Sequence, residues 1–244
     1  MPNRTGASMR NFRASRQFAL LILLGSSLLI GIIMLLKAWK GIPTEQLTRD
    51  PNAIFDAPLY IGFLSQVGIF IWAAAAMICL YSSQLLPADE RHTEERHYFF
   101  RAGCLLLLLG LDDAFLLHEQ FFPFIGIPEN LMYVTYAGLM LSLLLRFSRL
   151  IRQTQYPLLL AGLFCFSVSV GLDLLQLENI DNFLVEDSAK LTGILCWLCY
   201  FSHTAYSCTS SAFLLRKDDE PYLSASPATD NHLHSLGKQA APLR

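Results

Sequence analysis

The sequence predicts an all-α integral membrane protein, a bundle of six transmembrane helices with both termini in the cytoplasm. Of its 244 residues, 53% are hydrophobic and only 16% are charged, whereas about a quarter of the residues in a soluble domain are charged. Six stretches approach the roughly 20 apolar residues that a helix needs to cross the hydrocarbon core. Continuous apolar runs such as 105–109 lack the alternation of a barrel strand, so helices are predicted.

The predicted spans follow one another along a single transmembrane domain at residues 18–215. They are residues 18–36, 61–83, 99–117, 131–147, 156–177 and 191–215. The first span is too long for the apolar core of a cleaved signal and lacks a small-residue cleavage site, so we interpret it as a retained anchor. A basic arm (1–17) precedes the domain, and the composition of the tail (216–244) predicts disorder.

The distribution of basic residues predicts the orientation, because cytoplasmic loops carry an excess of Lys and Arg. With the N-terminus inside, 14 of the 18 Lys and Arg residues lie on the inner side. The four on the outer side are Lys37, Lys40, Arg49 and Lys190. This pattern predicts a multi-pass protein of the cell membrane, and an organelle membrane fits it equally.

Charge and cysteine usage exclude several classes of function. With a formal net charge of −2, the chain has no strong basic excess that would point to nucleic acid. All six cysteines lie inside predicted spans, which argues against a disulfide framework in the outer loops. The expected partners are therefore the lipid bilayer and a small ion or lipid-like ligand.

Three aspartates interrupt the apolar spans. Asp112 and Asp113 lie in the third span and Asp173 in the fifth. At about 1.5 Å per residue, Asp112 lies about 7.5 Å and Asp173 about 6 Å below the outer ends of their helices. Charged groups at such depth are costly and normally face the bundle interior, so a functional cluster is predicted here.

Helix geometry limits which of these groups can cooperate. On a regular helix, Asp112 and Glu119 share a face but lie about 10 Å apart along it, with Asp113 and His118 on opposite flanks. These four groups cannot all bind one ion. We therefore expect Asp112 to find its partners on other helices, with Asp173 as the best candidate by depth.

Charged residues also precede the sixth span. Glu186 and Lys190 are spaced as a helical i, i+4 salt pair, and Glu186 and Asp187 suit a helix N-terminus, where acids complement the dipole. Alternatively, Lys190 is the counter-charge that makes an acidic site tolerable. The apolar segment at 120–129, in the loop between the third and fourth spans, also has two interpretations, as an interfacial segment or as a lid over the acidic cluster.

A second group of polar residues lies deeper in the sixth span. Cys196, Cys199 and His203 form one helical stripe. Three residues do not complete a closed zinc site, which needs four ligands, and His203 lies about 10 Å deeper than Asp112. A polar contact between helices is the favoured interpretation of His203.

The leading functional hypothesis is binding of a proton or a metal cation, for transport or sensing. Close carboxylates cannot all remain ionised unaided, so they share a proton or hold a hard cation, and a divalent cation would be the cofactor in the latter case. The predicted binding residues are Asp112, Asp113, Asp173, Glu119, Glu186 and Lys190.

Two alternatives belong to other classes of function. The first is a metal-dependent hydrolase acting on lipid at the outer interface, in which His118 joins Asp112 and Asp113 as a metal ligand or general base. The second is a non-catalytic assembly or scaffold protein whose charges form hydrogen bonds between helices.

Overall fold

The computed structural model describes residues 4–58, 60–175 and 182–224, and every regular element in these ranges is helical. The all-α prediction is therefore confirmed for this part of the chain. The end of the predicted fifth span (176–177) and the final residues of the tail (225–244) lie outside the described residues.

Ten α-helices occur in the described ranges, and one π-helical turn lies between two of them. The helices are α1 (Arg4–Lys40), α2 (Thr44–Thr48), α3 (Pro51–Ile54), α4 (Phe63–Leu85), α5 (Thr93–Phe115), α6 (Phe122–Phe124), α7 (Glu129–Arg146), α8 (Ser148–Arg152), α9 (Tyr156–Leu175) and α10 (Asn182–Ser224). The π-helical turn covers Leu117–Phe121. Helix α10 begins nine residues before the predicted sixth span and continues past its end at 215.

Within the described residues, three helices are long and apolar enough to cross a membrane: Ile22–Lys40 within α1, α4 and α9. This is compatible with a membrane location. The other three predicted spans fall on α5, α7 and α10, which are helical but more polar. The total of six spans and their orientation stay predictions.

The chain divides into two compact units, residues 1–63 and 64–244. In the first unit, the apolar stretch of α1 exposes large side chains such as Ile22 (67%) and Leu28 (66%), as expected of a surface that faces lipid. Asp50 caps the short helix α3, since its side chain accepts a hydrogen bond from the backbone N–H of Asn52 at 2.8 Å.

In the second unit, α4 and α5 pack antiparallel along two glycines of α5. A Cβ on Gly103 would lie 3.0 Å from the backbone nitrogen of Leu80, and one on Gly110 would lie 2.9 Å from Trp72 Cβ. Neither position has room for a larger residue. Small residues at a helix interface let the backbones approach closely, and this approach brings the end of α5 beside α4.

Helices α9 and α10 form a second antiparallel pair, with a glycine on each side of the crossing. A Cβ on Gly162 would lie 3.1 Å from the carbonyl oxygen of Gly193, and the reverse distance is also 3.1 Å. Trp197 fits beside Gly162, and its indole N–H donates to the carbonyl of Leu159 at 3.2 Å. Rings from three helices meet here, because Trp72 stacks on Phe166 and Trp197 meets both edge-on.

Farther along the core, two buried phenols join α5 to α10. The hydroxyls of Tyr98 and Tyr200 lie 2.9 Å apart, and Thr154 Oγ1 lies 3.0 Å from Tyr200. Phe147 packs against Tyr98 with ring centroids 5.3 Å apart. We call this region the Tyr98 end of the bundle and the opposite region, around the C-terminus of α5, the His118 end.

Candidate functional site

Helix α5 ends two residues before the predicted end of its span. Leu116 adopts the left-handed conformation (φ 50°, ψ 45°), and its backbone N–H donates a hydrogen bond to the carbonyl oxygen of Asp112. The π-helical turn then carries His118 in a new direction. The expectation of a regular helix through residue 117 was therefore wrong, because a left-handed residue at a helix C-terminus terminates the helix.

This break folds His118 back onto Asp112. The Asp112 carboxylate accepts two hydrogen bonds from His118, one from the backbone N–H to Oδ1 (2.9 Å) and one from ring Nδ1 to Oδ2 (2.5 Å). Asp112 is 5% exposed and His118 is 9% exposed. The result is a nearly buried carboxylate–imidazole pair whose geometry is fixed at both oxygens.

Two tyrosines of α7, neither of them among the predicted binding residues, complete the His118 end. Tyr136 donates its hydroxyl proton to Asp112 Oδ1 at 2.7 Å, and Tyr133 donates to Asp173 Oδ2 at 2.7 Å. The Tyr133 ring also lies against His118, with centroids 5.2 Å apart. Their i, i+3 spacing on the helix that follows the acidic span was the signal that could have identified them.

Tyr136 and Tyr133 also relate the positions of Asp112 and Asp173 to each other. They lie one turn, about 4.5 Å, apart along α7, yet one reaches Asp112 on α5 and the other Asp173 on α9. The two aspartates are thus linked through α7. The expectation that Asp173 is the partner of Asp112 is replaced by contacts with His118 and Tyr136.

Asp113 has a different partner from Asp112, since it forms an ion pair with Lys190 of α10. The Asp113 side chain is 9% exposed and that of Lys190 33% exposed. Gly68 of α4 lies alongside, where an added Cβ would be 3.9 Å from Asp113 Oδ2. Of the two interpretations of Lys190, the structure favours the counter-charge to an acidic group in the bundle over the local pair with Glu186.

The remaining predicted acids lie nearer the surface. Glu119 is exposed, and its Oε1 lies 3.6 Å from His118 Nε2. Glu186 is half-buried, and burial together with the nearby carboxylates of Asp173 and Asp187 raises its pKa. Since α10 begins at Asn182, Glu186 and Asp187 lie in its second turn and do not cap it.

The described residues do not bring three His, Cys, Asp or Glu side chains together as a metal site. Nδ1 of His118 is hydrogen-bonded to Asp112, so Nε2 is the ring nitrogen that this pair leaves for another ligand. The assignment of His118 to a metal stays a prediction. His203 is exposed, with Nε2 3.4 Å from the side-chain nitrogen of Gln155.

The Asp113–Lys190 pair gives the first testable prediction. We expect Lys190→Met to lower the free energy of unfolding in detergent, because it leaves the largely buried Asp113 carboxylate without its counter-charge. Asp113→Leu should also be destabilising. The double variant should be more stable than the sum of the two losses predicts, with a coupling energy of about 0.5–3 kcal/mol. Additive losses would show that the pair contributes nothing.

Comparison with known proteins gives a family and no function. No curated protein and no solved structure matches the chain. A family model described as a domain of unknown function, DUF8692, matches residues 18–204, which include the Asp112–His118 pair, Tyr133, Tyr136 and Lys190. Because this match covers more than half of the sequence, the chain belongs to the DUF8692 family.

Proposed function

We propose that this chain is a six-span, N-in protein of the cell membrane that binds a proton at the Asp112–His118 pair, for sensing or for proton-coupled transport. The observation that carries the proposal is the buried carboxylate–imidazole pair, hydrogen-bonded at 2.5 Å. Histidine is the side chain whose charge changes most readily near neutral pH. Ionisable groups within a membrane domain mark proton and ion pathways.

The environment of His118, which lies beyond the end of the third predicted span, favours the protonated ring. Burial lowers the pKa of His118. The hydrogen bond and charge of Asp112, together with the Glu119 carboxylate, raise the pKa by more than burial lowers it, so it lies above the ordinary value of 6.5. A group whose pKa is higher in the folded state than in the unfolded state stabilises the fold at low pH. That stabilisation is lost as the pH rises through the folded-state pKa.

We therefore expect the thermal stability of the purified protein to fall as the pH rises from below 6.5 through the folded-state pKa of His118. The variant His118→Gln should lose this dependence. The matched control is His203→Gln, because His203 is exposed and contacts only the Gln155 amide among the described hydrogen bonds. A His118→Gln profile that keeps the slope of the wild type would contradict the proposal.

Sensing and transport are separated by a flux measurement. The protein is reconstituted in vesicles that contain a pH-sensitive dye, and an acid pulse is applied outside. Proton entry that is lost in His118→Gln and kept in His203→Gln indicates transport. A pH-dependent stability without proton entry excludes transport and leaves sensing or a structural role for the pair.

Complete pairing of the aspartates supports a second candidate, the non-catalytic assembly protein. Asp112, Asp113 and Asp173 each have a partner on another segment of the chain, as expected of hydrogen bonds that hold helices together. This candidate shares the pH-dependent stability, since the linkage between His118 and Asp112 does not depend on function, and it predicts no proton entry. The lipid hydrolase has less support, since no three metal-ligating side chains converge in the described ranges.

The six-span arrangement is supported by helix order. Contacts between Leu80 and Gly103, and between Gly162 and Gly193, make α4–α5 and α9–α10 antiparallel hairpins, as alternating spans require. The Tyr136–Asp112 bond and the 3.9 Å approach of Arg146 to Glu94 give the same relation for α5 and α7. Reporter fusions at the two termini should both report a cytoplasmic location.

A further inference from the structure

A groove of about 270 Å³ lies between α5 and α7. Its walls are apolar side chains and small polar ones, with one arginine among them. The lining residues are Phe100, Arg101, Cys104, Leu105, Leu108, Leu139, Ser142 and Leu143. This volume lies just below the roughly 300–1,000 Å³ of ordinary ligand pockets, so only a small or slender group fits.

The charge at one end of the groove is positive. Arg101 and Arg146 both lie over the ring of Phe147, with guanidinium carbons 5.7 and 5.4 Å from its centroid. Both arginines belong to the Tyr98 end of the bundle. Glu94 lies 3.9 Å from Arg146, so it offsets part of the charge of Arg146, while Arg101 has no acidic partner among the described ion pairs.

We propose that this groove binds an anionic phospholipid of the surrounding membrane, with an acyl chain along the leucines and the phosphate at Arg101. The apolar walls of the groove match the acyl chain of such a lipid, and the guanidinium at its end matches the phosphate. Basic pockets between membrane helices on the cytoplasmic side bind acidic headgroups, and arginine binds phosphate through its planar fork of N–H donors. This inference does not depend on the proton site, which lies at the His118 end.

The test adds phosphatidylglycerol or phosphatidylcholine to the detergent-purified protein and compares the thermal stabilisation that each lipid gives. We expect the anionic lipid to bind more tightly. The variant Arg101→Gln should weaken its binding about five-fold, the effect of about 1 kcal/mol per basic residue near a membrane surface. Arg101→Lys should retain part of the preference. The matched control is Arg91→Gln, which removes an exposed arginine that does not line the groove.

Two further arms distinguish a lipid site from simple charge attraction. Ser142→Leu, which fills the groove without changing charge, should weaken the binding of both lipids. Glycerol phosphate, which has the headgroup and no acyl chain, should not stabilise the protein. The proposal is overturned if the two lipids stabilise equally, if Arg101→Gln and Arg91→Gln have the same effect, or if glycerol phosphate replaces the lipid.

Discussion

Asp112→Ala is expected to lower the free energy of unfolding by about 3–5 kcal/mol, the cost of removing one partner of a buried ionic pair. The substitution removes three hydrogen bonds at once, from the backbone and ring of His118 and from the hydroxyl of Tyr136. His118 is 9% exposed, so water cannot fully replace the lost carboxylate. Unfolding of the purified protein in a denaturing detergent measures the change.

The matched control for this variant is Glu119→Ala. Glu119 lies on the same turn as His118 and is exposed, with a weaker approach of 3.6 Å to the ring. Surface substitutions of this kind usually change stability by less than about 0.5 kcal/mol. Equal losses for the two variants would show that Asp112 has no special part in holding the turn against α5.

Gly162→Ala and Gly138→Ala are expected to change stability in opposite directions. A Cβ on Gly162 would lie 2.3 Å from Trp197 Cδ1 and 3.1 Å from the carbonyl oxygen of Gly193. Trp197 is 2% exposed and packs against the rings of Trp72 and Phe166. Since the indole has no free space to move into, α9 and α10 must separate to admit the new methyl group. Overpacking of this kind typically costs about 1–3 kcal/mol.

Gly138 provides the reference because it lies within α7 with nothing within 4 Å of an added Cβ. Alanine is favoured over glycine inside a helix by about 0.5–1 kcal/mol, so Gly138→Ala should be slightly stabilising. Thermal unfolding of both variants beside the wild type measures the two effects. A loss at Gly138, or no loss at Gly162, would contradict the close crossing of α9 and α10.

The helices and the location of the acidic cluster could be predicted from the sequence. Apolar runs of sufficient length specify membrane helices almost by themselves, and the depths of Asp112 and Asp173 follow from counting residues along them. The structure links both aspartates to adjacent turns of α7 through Tyr136 and Tyr133. That the two aspartates lie at similar depth in a membrane stays a prediction.

The local geometry of the site could not be predicted in the same way. A left-handed residue at a helix end is usually Gly or Asn, so Leu116 gives no sign of the break that brings His118 to Asp112. Tyr133 and Tyr136 look like the aromatic residues found at any membrane interface. Likewise, i, i+4 spacing favours Lys190 with Glu186, whereas tertiary packing pairs it with Asp113.

The central claim is that the Asp112–His118 pair takes up and releases a proton within the folded protein. Nuclear magnetic resonance of ¹⁵N-histidine-labelled protein measures this directly, with the His118 signals assigned by their loss in His118→Gln. We expect the ring to titrate with a midpoint above 6.5, and Asp112→Asn to move that midpoint down. A ring that keeps one protonation state between pH 5 and 9, or a midpoint that Asp112→Asn does not move, would contradict the account.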